Sequence, residues 1–247
     1  MNYTWNWGVL LDPTGVGNQI YLQWLLSGIG WLLLIGGLAW VIALILGTAL
    51  GIMRTLPSPS ARRFATGYVT LFRNIPLLVQ LFFWYYVVPN YWSEGLRQWW
   101  YYDLSPNTSA LISAAIGLGL FTAARVCEQV RTGVEALPRG QAQAARALGF
   151  SAADVYRTVL LPQAFRIILP PLTSELTNCF KNASIASLVG VAELVSQTKT
   201  ISEYSQSTFE IYTYATLVYI VINMALFALM AYLERRYRVP GLMNAKG

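Results

Sequence analysis

From Pro13 to Met53 the chain carries no charged side chain. Within that run, 25–53 is almost continuously apolar, and a helix needs about 20 such residues to cross the hydrocarbon of a bilayer. Backbone N–H and C=O groups find no water there, so a spanning segment must satisfy them internally as a helix. A second uncharged run, 74–93, is entered through Arg73 and gives a span taken as 64–90; similar runs follow at 104–124 and 211–233. A fifth, 167–194, is apolar but interrupted by Glu175 and Lys181. Residues Met1 to Leu11 hold no basic group ahead of the first apolar run. That run therefore reads as a retained span rather than a cleaved signal.

Composition agrees. Charged residues make up 11% of the 247 and hydrophobic ones 55%, where a soluble domain carries about 25% charge. This excludes a disordered chain, an ordinary cytosolic enzyme and a nucleic-acid-binding module. The chain has no histidine and two cysteines in apolar context, Cys127 and Cys179. Histidine-based triads, His-ligated zinc and imidazole proton relays are thereby excluded, and no metal-ligand spacing exists.

The cations decide whether the interrupted fifth segment crosses. Arg54, Arg62, Arg63 and Arg73 lie between the first two spans. Arg125, Arg131, Arg139, Arg146, Arg157 and Arg166 lie in 125–166, and Arg235, Arg236, Arg238 and Lys246 follow the last span. With five crossings these 14 of 17 cations share one side, leaving Arg97 and Lys199 opposite and Lys181 inside a span. The positive-inside rule then predicts five helices with the N-terminus periplasmic and the C-terminus cytoplasmic. The expected division is an N-terminal periplasmic segment 1–24, a transmembrane domain 25–236 with a cytoplasmic loop 125–166, and a tail 237–247. Asp12, Glu94, Asp103, Glu193, Glu203 and Glu210 fall on the outer side. The cluster Tyr91, Trp92, Trp99, Trp100, Tyr101 and Tyr102 there suits an interfacial belt or a short surface helix. Small residues repeat every fourth position in the first span (Ala39, Ala43, Gly47, Gly51) and the third (Ala115, Gly119, Ala123). Such stripes let helix backbones approach closely.

The loop 125–166 is too organised to be a mere connector. Its first part extends the third span, with Glu128 able to pair with Arg125 and Arg131. Pro138 and Gly140 break the chain. A helix over 141–148 ends at Gly149. Ser151 caps a further helix, with Asp154 in the capping-box position, and that helix is expected to end at Leu161-Pro162. Gln143-Ala144-Ala145, three residues, Gly149, nine residues, Val159, one residue, then Leu161-Pro162 resembles the EAA motif of ABC importer permeases. Arg146 lies within the same element. Gln143 stands where that motif has Glu, so an ion pair to an ATPase is replaced by an amide. The stretches 71–80, 122–131 and 181–187 are similar to polar amino-acid permeases, the last two to the glutamate/aspartate branch.

The resemblance implies a type I ABC importer transmembrane domain: an all-α, multi-pass inner-membrane permease for an amino acid of the glutamate/aspartate type. It further implies a homologous permease partner (a heterodimer), two cytoplasmic ABC ATPases and a periplasmic amino-acid-binding protein. The coupling residues it implies are Gln143, Ala144, Ala145, Arg146, Gly149, Val159, Leu161 and Pro162. No G-x-x-x-x-G-K-[ST] loop is present, so ATP and Mg are expected on the partner, with no cofactor and no catalytic role in this chain.

Polar groups within a span are costly and mark pathways. Ser174, Thr177, Asn178, Lys181, Asn182 and Ser184 fall in an arc of roughly 160° at 100° per residue, with Ile185 the apolar exception. Lys181 could attract a carboxylate or serve as a structural cation paired with Glu175. Gln80 in the second span is a further path candidate, and Pro76 marks a kink. The alternative in another class is an ion-gradient-driven transporter or channel, for which Glu175 would be the coupling carboxylate. An integral-membrane enzyme lacks any nucleophile–base pair to support it.

Overall fold

A computed structural model describes residues 3–237. Arg238, Lys246 and the rest of the expected tail beyond Tyr237 lie outside them. Every element is helical, and among the described residues extended pairing is confined to an isolated bridge between Pro13 and Ile20.

The uncharged first run forms α1, Tyr21–Thr55, which at 1.5 Å per residue exceeds the hydrocarbon thickness. It is followed by α2 (Pro59–Asn74), α3 (Leu77–Phe82, continued by π and 3-10 turns to Tyr91), α4 (Glu94–Gln98) and α5 (Pro106–Glu135). Two short helices, α6 (Arg139–Ala147) and α7 (Ala152–Asp154), precede α8 (Leu161–Asn182). The last two are α9 (Leu194–Ser205) and α10 (Thr208–Tyr237). Three helices, α1, α5 and α10, are long and apolar enough to span alone.

The other two expected spans are bent. The segment 64–90 was expected as one span, but α2 and the helix that begins at Leu77 diverge by 103°. The break follows from Ile75, held extended at φ −98°, ψ 127° ahead of Pro76, as the residue before a proline prefers. The fourth expected span, 167–194, differs at both ends. Helix does not stop at Leu161-Pro162: a π-helical stretch Val155–Leu160 leads from α7 directly into α8. Pro162 lies in the first turn of α8, where its missing N–H costs little. At the other end α8 passes into a 3-10 helix, Ala183–Val189, and α9 turns away by 54°. Gly140 likewise does not break the chain; it lies inside α6, which starts after Pro138.

Burial ranks the helices. The apolar window of α5 is 72% buried, that of α1 28% and that of α10 only 6%. So α5 is central, and α10 is a peripheral helix whose surface faces lipid or another chain. The α1 ladder meets α5 as its four-residue rhythm demands. A Cβ added at Gly47 would lie 2.7 Å from Val126 Cβ, and one at Gly51 2.6 Å from Val130 Cβ. Ala39 and Ala43 are fully buried in the same seam.

The arginine-rich ends of α1, α2, α5 and α8 lie together, here termed the basic end. At the opposite end, Glu193 and Glu210 are fully buried rather than solvated. Glu193 caps α9 by accepting from Ser196 N at 2.9 Å. Glu210 accepts from Asn6 N at 2.6 Å and from the Tyr3 hydroxyl, strapping the N-terminal segment to α10. The aromatic cluster flanks the short α4 and forms the π-turn Trp99–Asp103 after it, with Tyr91 and Tyr102 exposed and Trp100 buried against Trp92.

Candidate functional site

The hairpin at the basic end is built from α6, a glycine turn and α7. Leu148 closes α6, Gly149 adopts φ +88°, and two bonds complete the turn: Gly149 N to Arg146 O at 2.9 Å and Phe150 N to Ala145 O at 3.1 Å. This is the Schellman geometry, in which the left-handed position suits glycine. Ser151 Oγ then accepts from Asp154 N and caps α7. The predicted coupling residues divide by burial. Ala145 packs with Val134, Leu137, Val155, Leu160 and Ala164 in a small core, against which Val159 and Leu161 are half-buried. Gln143, Ala144, Arg146, Gly149 and Pro162 are exposed. Leu148 is 79% exposed and Phe150 43%, an apolar edge that the helix pair itself leaves uncovered.

Two features fix this hairpin to the helices behind it. It runs without interruption into α8, and the Tyr156 hydroxyl donates to Thr55 at the end of α1. Sequence reading missed Tyr156, because nothing in a loop sequence marks a partner 101 residues away. Behind the hairpin a cavity of about 650 Å³ is lined by Arg54, Arg62, Arg131, Arg139 and Arg146 together with Glu135.

Glu128 is the hub of an ion-pair cluster that joins three helices. It meets Arg54 of α1 at 2.5 Å, Arg131 at 3.0 Å and Arg73 of α2 at 3.6 Å. Arg125, expected to share Glu128, turns instead to Glu175 of α8 at 3.6 Å. Burial by itself would raise the Glu128 pKa, but hydrogen bonds from Arg54 and Arg131 outweigh it and hold this carboxylate below its usual range.

The six polar positions of the fourth span do not converge on one cavity. Thr177 and Lys181 line a groove of about 850 Å³ against Thr216, Tyr219 and Asn223 of α10. Asn223 donates to Tyr219 O at 2.8 Å, leaving its own Oδ1 without a partner among the described residues. These two went unread in the sequence, although an amide inside the apolar run 211–233 is itself a signal. Ser174 is exposed, and Asn178 and Asn182 are half-exposed with no side-chain bond among the described residues. Ser184 returns its hydroxyl to Lys181 O at 2.7 Å. Lys181 makes no ion pair among the described residues, and Glu175 is engaged by Arg125 instead.

Gln80 has a different place altogether. It is 4% exposed and donates to Phe72 O at 2.8 Å and Ile75 O at 2.9 Å. It ties the α2–α3 bend by satisfying carbonyls that the Pro76 break leaves open. Among the described residues no cluster of His, Cys, Asp or Glu could hold a metal.

Residues 43–239 match the family of binding-protein-dependent transport system inner membrane components. The chain is 44% identical over 246 residues to the glutamate/aspartate import permease protein GltJ of Escherichia coli strain K12, covering 100% of both. It is 35% identical over 216 residues to the permease protein GltK of Escherichia coli O6:H1, covering 87% of this chain and 94% of that one. A crystal structure of an amino acid ABC transporter with histidines superposes with a TM-score of 0.69 at 30% identity, covering 87% of this chain and 95% of the other. These relatives are permeases, transport components rather than enzymes. With the family model matched over residues 43–239 and a relative 44% identical along the whole chain, the chain belongs to the family of inner-membrane components of binding-protein-dependent transport systems.

Proposed function

We propose that this chain is a permease subunit of an ATP-driven importer of glutamate and aspartate. In this reading it is paired with a homologous permease in a heterodimer and served by two ABC ATPases and a periplasmic binding protein. The observation that carries the reading is the hairpin. Its exposed edge, Gln143, Ala144, Leu148 and Phe150, is free to dock on a partner, while its rear is bolted to α1 through Tyr156 and continuous with α8. Force on that edge is therefore delivered to two spans at once. The basic end is cytoplasmic in this proposal, in keeping with the distribution of cations, so 125–166 is the coupling loop of the domain 25–236 and 1–24 is periplasmic. ATP and Mg belong to the partner.

The substrate assignment is supported by the two glutamate/aspartate permeases it resembles along most or all of its length. Lys181, with Thr177, Tyr219 and Asn223 around it, gives the α8–α10 groove one cation and several polar side chains, a suitable lining for a carboxylate. Asn178, Asn182, Ser174 and Ser184 continue this polar face. Glu175, the coupling carboxylate of a gradient-driven alternative, faces Arg125 at 3.6 Å. The test is uptake of labelled glutamate, glutamine and arginine by the assembly reconstituted in proteoliposomes. ATP-dependent glutamate uptake is expected. Glutamate uptake that continues without ATPase would overturn the proposal.

A further inference from the structure

A second, smaller cavity lies at the basic end, away from the α8–α10 groove. It measures about 220 Å³ and is lined by Arg73, Phe121, Arg125, Glu128, Gln129 and Glu175. At about 30 Å³ per water this is room for roughly seven waters, the scale of one small amino acid. We infer that this cavity is a second binding site for the transported substrate, an exit station for an acidic α-amino acid, in which Arg73 and Arg125 take its two carboxylates and Glu175 its ammonium group. The inference rests on the transport reading above and deepens it.

Three observations carry it. The first is a contrast in ion-pair length. Away from the cavity Glu128 is held tightly, at 2.5 Å by Arg54 and 3.0 Å by Arg131. The pairs that border the cavity, Arg73–Glu128 and Arg125–Glu175, both stand at 3.6 Å. A charge-assisted N–H···O bond closes to about 2.7–2.9 Å, so both guanidiniums keep hydrogen-bonding capacity for another acceptor. Arg125 is also positioned by the Phe121 ring, 5.3 Å from its guanidinium carbon.

The second is an unused acceptor. Glu175 is 8% exposed; its Oε2 lies 3.6 Å from Arg125 and accepts no hydrogen bond among the described residues. Its other oxygen receives only a long 3.4 Å contact from Gln129. A buried carboxylate oxygen left so costs more than a typical hydrogen bond returns, and an ammonium group would satisfy it.

The third is charge. Two guanidiniums, Arg73 and Arg125, and two carboxylates, Glu128 and Glu175, line the cavity, and the Glu128 network behind it adds Arg54 and Arg131 against Glu135. One positive charge is left over, and an acidic amino acid carries one negative charge. A cationic amino acid would add to the surplus. Glu175 also shares a face of α8 with the polar positions beyond it: at 100° per residue Glu175, Asn178 and Asn182 span an arc of roughly 60°.

The test uses the permease–ATPase assembly without binding protein, carrying Lys181→Ala to silence the outer groove. Binding of labelled aspartate is compared with that of succinate, which keeps both carboxylates and lacks the ammonium. Glu175→Gln is expected to weaken aspartate about tenfold and leave succinate unchanged, with Glu175→Asp recovering part of the loss. Arg125→Gln is expected to weaken both ligands. Should Arg125→Gln fail to assemble, the half-exposed Arg73→Gln supplies the same comparison. Equal losses for aspartate and succinate in Glu175→Gln, or no loss for either, would overturn the inference. Absence of ATP-driven glutamate or aspartate uptake by the unaltered assembly would instead defeat the transport reading, so the two failures are told apart.

Discussion

The hydroxyl of Tyr156 donates to the carbonyl of Thr55 at 2.9 Å and lies 3.1 Å from its Oγ1, joining the hairpin to the last turn of α1 across 101 residues of sequence. The bond gives the hairpin a second anchor besides its covalent continuity with α8. Tyr156→Phe keeps the ring packed and removes the bond, worth about 0.5–1.5 kcal/mol. The expected outcome is a several-fold fall in ATP-driven uptake with the ATPase rate of the assembly retained. Equal falls in both would show that Tyr156 serves folding rather than force transfer.

Gly149 separates shape from space. A Cβ there would meet nothing within 4 Å, yet φ is +88°. The cost of Gly149→Ala is therefore one of backbone conformation, about 1–2 kcal/mol for a left-handed L-residue. Gly149→Asn should cost less, because asparagine tolerates this region better. Recovery of ATPase with the affinity-purified permease should fall in the order Gly, Asn, Ala. An alanine variant that retains the ATPase fully would remove the turn from the docking surface.

Much of this was legible in sequence, and the unread parts share a cause. Spans α1, α5 and α10 are each built around an uncharged run (25–53, 104–124 and 211–233), a property each segment holds by itself. The α1–α5 seam showed as a four-residue rhythm of small side chains, again local. Gln80 read as a path residue because an amide in an apolar run is costly; that its Nε2 meets the carbonyls of Phe72 and Ile75, while its Oε1 has no partner among the described residues, depends on a 103° bend. Pro162 read as a stop because proline usually ends a helix, but the π-helical stretch Val155–Leu160 places it at the start of α8 instead. Arg125 was paired with Glu128 on spacing alone, and only the neighbouring α8 offers it Glu175. Long-range partners have no signature in a single chain.

The seam itself predicts a paired result. Gly47→Ala would put a Cβ 2.7 Å from Val126 Cβ and 2.8 Å from Ala123 O, backbone that cannot turn aside. Overpacking of this kind costs about 1–3 kcal/mol. Gly37, on the same helix, has nothing within 4 Å. Thermal unfolding in detergent should show Gly47→Ala destabilised by several degrees and Gly37→Ala unchanged or higher. Equal behaviour of the two would mean that α1 and α5 are not in contact there.

The Glu128 hub should respond to acid. Its folded pKa is lowered, so its stabilising effect is fully present above its ordinary value near 4.5 and is lost as pH falls through the lower folded value. The transition midpoint of the detergent-solubilised chain should therefore hold from neutral pH to about pH 5 and drop on further acidification. Glu128→Gln should start lower at neutral pH and change less on acidification. A variant with the same acid response as the original would assign the loss to other carboxylates.

Asn182 offers the sharpest charge test of the substrate reading. It ends α8 beside Lys181, half-exposed and without a side-chain partner among the described residues. Asn182→Asp changes one amide to a carboxylate of nearly equal size. At about 5 Å from an anionic substrate, with an effective dielectric near 20, the added repulsion is about 3 kcal/mol, on the order of a hundredfold. Solvent in the groove lowers this, so at least a tenfold loss of glutamate uptake is expected. Glutamine, carrying no net charge, should lose far less. Asn182→Leu removes hydrogen bonding without adding charge, and should reduce both substrates alike. Glutamate uptake unaltered by Asn182→Asp would put this residue outside the route, leaving Lys181 and the α10 groove to carry it.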